Sequence, residues 1–447
     1  MDFRGLLRLP PERKKLMRGR FAALAVLGAL LVWGAPAAAQ SALDWGRVSL
    51  FGQVLRSGNG DGSSTAYNEL NASVTLHTPP RDQDGLEFSI DARGSQYPSV
   101  ENRDPRLSIY DAWVGGRFAG GKIAVRLGQM YVNDLGALGG LGGVSLETRT
   151  GKLRFGLFGG LEPKGFDAGY VADVKKGGAY AAYDGERGWR NVLGYVTIRN
   201  QGLAERNVLS TTNFVPVGRE FFLYQAAEYD LTGPGGMGKG GLAYFFATAR
   251  WSPVQIFELQ ALYQHGRSID ARTITQDQLA GRPIDSKSLQ GFLFDSMGGR
   301  ATVEFVRGWR VWAGYYQDKN NQDDIASNRW QFGLSAMNVL GTGFDVFVSD
   351  NRTIRPGAST YDSWYFSLGR SLGSRLYLTL DYSTSLSVLQ LTNSGGLTVM
   401  TRPSSRRYSL SGIYNLSRAF SLFVTGEQLV DDETTQNRAL LGLTFRF

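Results

Sequence analysis

The strongest constraint on this chain is an apolar/polar alternation of period two, repeated at strand length from one end to the other. Leu70, Ala72, Val74 and Leu76 interleave with Asn71, Ser73, Thr75 and His77. Leu86, Phe88, Ile90 and Ala92 interleave with Glu87, Ser89, Asp91 and Arg93. The pattern returns in Phe257, Leu259, Ala261 and Tyr263 against Glu258, Gln260 and Gln264, and in Leu376, Leu378, Leu380 and Tyr382 against Thr379, Asp381 and Ser383. Successive side chains of a strand point to opposite faces, so each segment reads as a strand with one apolar and one polar face. Helical periodicity is almost absent. The polar faces hold Ser, Thr, Gln, Arg, Asp and Glu in close proximity, which suits an enclosed polar lumen with lipid on the other side of the wall.

The connections form a second pattern. A reading with about 22 strands, within a range of 18 to 22, makes short turns and longer polar or Gly-rich loops alternate along the chain. Short turns fall near Ala119-Gly120, Gly151, Gly218, Pro253, Gly308 and Arg418; long connections cover 57–66, 161–175, 232–240 and 268–296. A single loop over 201–217 breaks this order by putting Ser252-Pro253-Val254 on the long-loop side. A strand near 205–216, closed by a turn at Val217-Gly218, restores it. The strands near 143–150, 176–184 and 205–216 carry the weakest alternation. Trp45, Trp189, Trp251 and Trp309 fall at one rim of such a barrel, and Trp330 and Trp364 at the other, where an amphipathic ring suits the boundary of a membrane.

The first 39 residues differ from the rest. Seven basic residues precede the apolar run Phe21–Trp33, and Ala37-Ala38-Ala39 offers small residues for cleavage. This is the pattern of a secretory signal peptide over 1–39, too short for a spanning helix, which leaves 40–447 as one barrel domain. Removing seven of 48 basic and two of 40 acidic residues leaves 41 against 38, a net charge of +3 in place of +8. A nucleic-acid partner then loses its electrostatic support. Of the 41 basic residues, eight are Lys and 33 are Arg, the cation suited to crowded sites shared with carboxylates. Cysteine is absent, which excludes disulfides and thiolate metal sites.

The last eleven residues, NRALLGLTFRF, place Leu441, Leu443, Phe445 and Phe447 on one parity and Leu440, Gly442, Thr444 and Arg446 on the other. A terminal strand of this kind, ending on a bare Phe, resembles the closing strand of bacterial outer-membrane β-barrels. The resemblance covers the whole chain after residue 39 in architecture, with the signal peptide and the terminal strand as its specific motifs. It implies a transmembrane, antiparallel, up-and-down all-β barrel in the outer membrane, in contact with outer-membrane lipid. It also implies that Phe447 is part of the signal read by the barrel-assembly machinery. The first strand begins near Arg47, so no N-terminal plug domain is expected.

Chemistry beyond this is sparse. The two histidines, His77 and His265, lie on distant strands with no paired-ligand spacing, so no metal site, cofactor or catalytic group is expected. His265, placed on the lipid-facing parity near the outer rim, lacks a Ser at a diagnostic spacing. Gly58-Asn59-Gly60-Asp61-Gly62 has no helix after it and reads as a turn. The less polar stretch Gly136 to Gly143 is a candidate for folding inward and narrowing a pore. Parity assigns Arg93, Arg126, Arg154, Arg199, Arg250, Arg329 and Arg407 to the lumen, together with Glu87, Asp91, Glu258, Glu304, Asp345, Asp381 and Glu427. Interleaved signs hold such a wall rigid and give no single-sign field for strong ion selectivity. The function expected is a porin-like channel for passive diffusion of small polar solutes, and the alternative is a non-conducting structural or assembly-partner barrel of the envelope.

Overall fold

The computed structural model describes residues 45–447 apart from 61, 79–82, 101–102, 166 and 393–397. The proposed signal peptide therefore lies outside the described residues. All pairings between the described strands are antiparallel and follow chain order, from Trp45–Asn59 through to Thr434–Arg446. The sheet closes because the first strand also pairs with the last, in a register that sets Arg47 opposite Arg446 and Asn59 opposite Thr434. Closure removes both sheet edges, so no unpaired backbone row is left to face lipid.

Thr398–Thr401 and Ser404–Asn415 both pair with Leu376–Thr392 and are two pieces of one barrel strand. The interruption falls at Arg402-Pro403, where proline supplies no N–H donor to the ladder. Counted as one, they give a closed barrel of 22 strands. The three strands with weak alternation are present and longer than the pattern suggests, as Gly140–Thr150, Tyr170–Asp184 and Leu203–Val217. Their extra length shortens the connections. Ser57 and Gly58 belong to a strand, and the loop expected over 161–175 contracts to 164–169. Tight turns also occur on the side expected to carry long loops, at 201–202 and 321–322. Trp330 and Trp364 lie well inside their strands, which begin at Asp323 and Ser359.

The outer wall is apolar by the alternation itself. Leu86, Val114, Leu127, Leu157, Leu193, Leu410 and Leu441 all point outward and are exposed. At the terminal end of the last strand, Phe420, Phe445 and Phe447 stack in a row, with ring centroids 4.6 and 5.3 Å apart. The Phe447 ring lies on Gly46, where even a methyl group would meet it at 2.4 Å. Closing the barrel thus places the terminal aromatic over a glycine of the first strand.

Candidate functional site: the lined interior

The interior is unevenly filled. The connection 132–139 joins Ile123–Tyr131 to Gly140–Thr150 and turns into the barrel, against the inner faces of Tyr170–Asp184, Arg190–Asn200 and Leu203–Val217. Leu135, Leu138 and Leu141 are fully buried there against Phe158, Val174, Val192, Val196, Ile198 and Val208. The approach is close enough that a Cβ on Gly194 would stand 2.2 Å from the Leu135 side chain. Burying this apolar set removes it from water and is the main force holding the connection inward.

Charge fixes the two ends of this connection. Asp134 accepts from Arg154 at 3.2 Å and pairs with Arg190. Arg154 also bonds Asp184 at 2.6 Å and Glu147 at 2.9 Å. Lys176 donates to the carbonyls of Leu138 and Gly140 at 2.8 and 3.2 Å. Bonds between full charges and backbone or carboxylate oxygens are the strong class of hydrogen bond.

A second connection covers the same side. Residues 269–291 carry helix α1 (Ala271–Leu279) and helix α2 (Ser286–Gln290). Asp270 starts α1 by accepting from the Thr273 N–H at 3.0 Å and from its hydroxyl at 2.7 Å. Those two bonds hold the Asp270 carboxyl below the usual carboxylate range. Ala271, Ile274 and Thr275 are the buried residues of α1, which packs on Leu203–Val217 and on the connection 233–238.

Arg272 anchors this helix to two wall strands. It bonds Glu205 at 2.6 Å and Glu162 at 2.9 Å, and these partners raise its pKa further above the ordinary arginine value. Glu205 is the extra residue of a β-bulge between Ala204 and Arg206, a local distortion that re-aims a side chain. Glu162 accepts from Arg272 on both oxygens, at 2.9 and 3.0 Å, and pairs with Lys176 at 3.2 Å through Oε2. One carboxylate therefore ties the upper helix to the inner connection.

Among the described residues, the inner wall from Phe292 to Arg446 keeps its larger cations in the open. Arg407 pairs with Glu427 at 2.6 Å and Arg438 reaches the same carboxylate at 3.3 Å. Arg329 pairs with Asp318 at 3.6 Å and lies over the Tyr316 ring. These groups remain open to the lumen, the Arg407 side chain being 51% exposed against 7% for Lys176.

The registers place Arg93, Arg126, Arg154, Arg250, Arg329, Arg407, Glu87, Asp91, Glu258, Glu304, Asp345, Asp381 and Glu427 on the inner face. Arg199 lies elsewhere. It pairs across from Lys175 on the face of Leu193 and Tyr195, which is the outer wall. The parity error has a physical cause: Val192, Val196 and Ile198 also face inward, so this strand is apolar on both sides and alternation gives no direction. His77 bonds Ser89 at 2.7 Å, and His265 bonds Asp295 at 2.8 Å beside the outward Tyr263. Among the described residues no group of side chains is arranged to hold a metal ion.

Asp134, Glu162, Lys176, Glu205 and Arg272 are the organising residues of the interior that alternation did not single out. Their signal lay in the apolar stretch around Leu135–Leu141 and in the doubly apolar strand that receives it.

No protein-family model matches the chain, and no characterised protein matches it by sequence. In shape it is similar to the translocation pore of the P pilus usher PapC, at 13% identity and a TM-score of 0.49, over 90% of this chain and 99% of that one. It is also similar to Pseudomonas aeruginosa OpdQ, at 8% identity and a TM-score of 0.45, over 90% and 99% of the two chains. Acinetobacter baumannii OccAB4 aligns at 9% identity and a TM-score of 0.44, over 90% and 98%. These are distant likenesses of overall shape. The closed barrel, apolar outside and charged inside, defines a membrane-spanning β-barrel of the bacterial outer-membrane kind.

Proposed function

We propose that this barrel is a porin-like outer-membrane channel that passes small polar solutes by diffusion through a mixed-charge lumen. The observation carrying this reading is that, among the described residues, one side of a closed barrel keeps its charged inner wall uncovered, while two connections fold over another. Solute would follow the bare wall from Arg329 and Asp318 to Arg407 and Glu427, meeting both signs in turn. Interleaved charge hydrates the path without favouring one ion strongly. The inner connection sets the narrow point, since its leucines hold it inward against one side of the wall.

The inward folding of two connections is also what a non-conducting structural barrel would show. Recording purified protein in planar bilayers separates the two readings. Discrete conductance steps support the channel, and their absence in several salts contradicts it. Phe447, stacked on the first strand, is proposed as part of the signal for barrel assembly. Deleting it lowers the yield of membrane-inserted protein severalfold, measured by heat-modifiable mobility; full yield removes that role.

A further inference from the structure

We propose that the bare wall holds a binding station for an anionic sugar, a polyhydroxylated ring bearing one acidic group. The inference rests on the channel reading for its route of access and on a separate cavity for its chemistry. That cavity, of about 510 Å³, opens on the inner face at the terminal end of the barrel, between Phe257–Ser268 and Phe344–Arg355. Its size falls within the roughly 300–1,000 Å³ usual for small-molecule sites.

Three features of the lining converge. The first is a flat apolar surface: Trp312 lies on Gly333, where a Cβ would meet its ring at 1.9 Å, and its centroid is 5.2 Å from that of Phe347. The second is a cation left over after the local charges pair. Glu304 is taken by Arg310 at 2.9 Å and Glu258 by Arg250 at 3.8 Å. Arg300 makes no ion pair among the described residues, and its Nε is buried without a hydrogen-bond partner. Its guanidinium lines the cavity, where an acidic group can accept charge-assisted hydrogen bonds from the terminal N–H groups. The third is a set of neutral hydrogen-bonding side chains, Thr302, Ser335, Ser349 and Asn351, which make no side-chain bonds among the described residues.

A sugar acid answers all three. The C–H face of its ring lies on Trp312, its carboxylate meets Arg300, and its hydroxyls reach the serines, Thr302 and Asn351. A neutral sugar leaves Arg300 unmet. A simple aromatic acid leaves the hydroxyl and amide groups unmet.

The test compares glucuronate, glucose and benzoate as probes on the purified full-length barrel. Tryptophan fluorescence in detergent reports binding whether or not the barrel conducts, and current interruptions in planar bilayers report residence inside an open channel. Glucuronate is expected to bind at least about tenfold more tightly than glucose or benzoate, the scale of one charge-assisted hydrogen bond. Arg300→Gln should abolish the preference for glucuronate over glucose, and Trp312→Leu should weaken both sugars. Heat-modifiable mobility confirms that each variant is folded, and either variant alone suffices if the other fails to assemble. Benzoate binding as tightly as glucuronate, or Arg300→Gln leaving the preference intact, overturns the inference. Conductance steps without glucuronate binding overturn it and leave the channel standing. Glucuronate binding without conductance steps supports the station and overturns the channel.

Discussion

The two halves of the barrel are written in the same alternation and finished differently. From Gly140 to Val217 the inner face carries Phe158, Val174, Val192, Val196, Ile198 and Val208, and two connections lie over it. From Phe292 to Arg446 the inner face carries Arg329, Ser349, Asp381, Arg407, Ser409, Thr425 and Glu427, and the buried apolar cluster does not extend to it among the described residues. The charges differ in the same sense. The Arg154 side chain, with three carboxylate partners, is 12% exposed, whereas that of Arg407, with one, is 51% exposed. In the first half, charge locates a lid and apolar contact holds it. In the second, charge faces solvent and is free to meet a solute. A barrel wall can thus combine a packed core and a hydrated path, provided the apolar positions on its inner face are confined to one side.

The largest expected effect comes from the packing. Leu138→Ala removes a fully buried side chain from the lid and should destabilise it by roughly 2–5 kcal/mol. Proteolysis of the 132–139 connection in the folded barrel measures this, and unchanged protection would show that the leucines do not hold the lid.

Glu162→Gln comes next. It removes the charge shared by Lys176 and Arg272, with an expected loss of about 1–3 kcal/mol between the two connections. Spin labels on α1 and on the inner connection would report looser and less correlated positions. Identical spectra would show that the connections are held independently.

In the bare half the expected effect on stability is small. Arg407→Gln opens an ion pair whose arginine is half-exposed, which costs at most about 1 kcal/mol. The lumen loses one positive charge, so the reversal potential in a salt gradient should move toward cation preference. A shift toward anions would contradict the assigned lining.

The barrel itself was legible in the sequence because one period and one direction of charge governed most strands. The terminal strand shows this well: Leu441 and Leu443 are exposed on the outer wall, as alternation requires, and Arg446 stands opposite Arg47 where the barrel closes. Legibility failed where a strand is covered on both faces. Between Arg190 and Asn200 the residues Val192, Leu193, Tyr195, Val196 and Ile198 leave no polar face, so Arg199 is assigned to the wrong side. The same composition, read as a strand needing cover, points to the apolar stretch at 136–141 as its partner. The joint at Glu162 was not legible, because it depends on a bulged wall and on a helix inside a long connection.

The central claim is a conducting barrel narrowed on one side by the 132–139 connection. Single-channel conductance in planar bilayers tests it most directly, comparing the intact protein with one in which 133–138 are replaced by Asn-Gly. The prediction is discrete steps for the intact protein and clearly larger steps for the shortened one. Silence from both proteins, or steps of equal size, would contradict it.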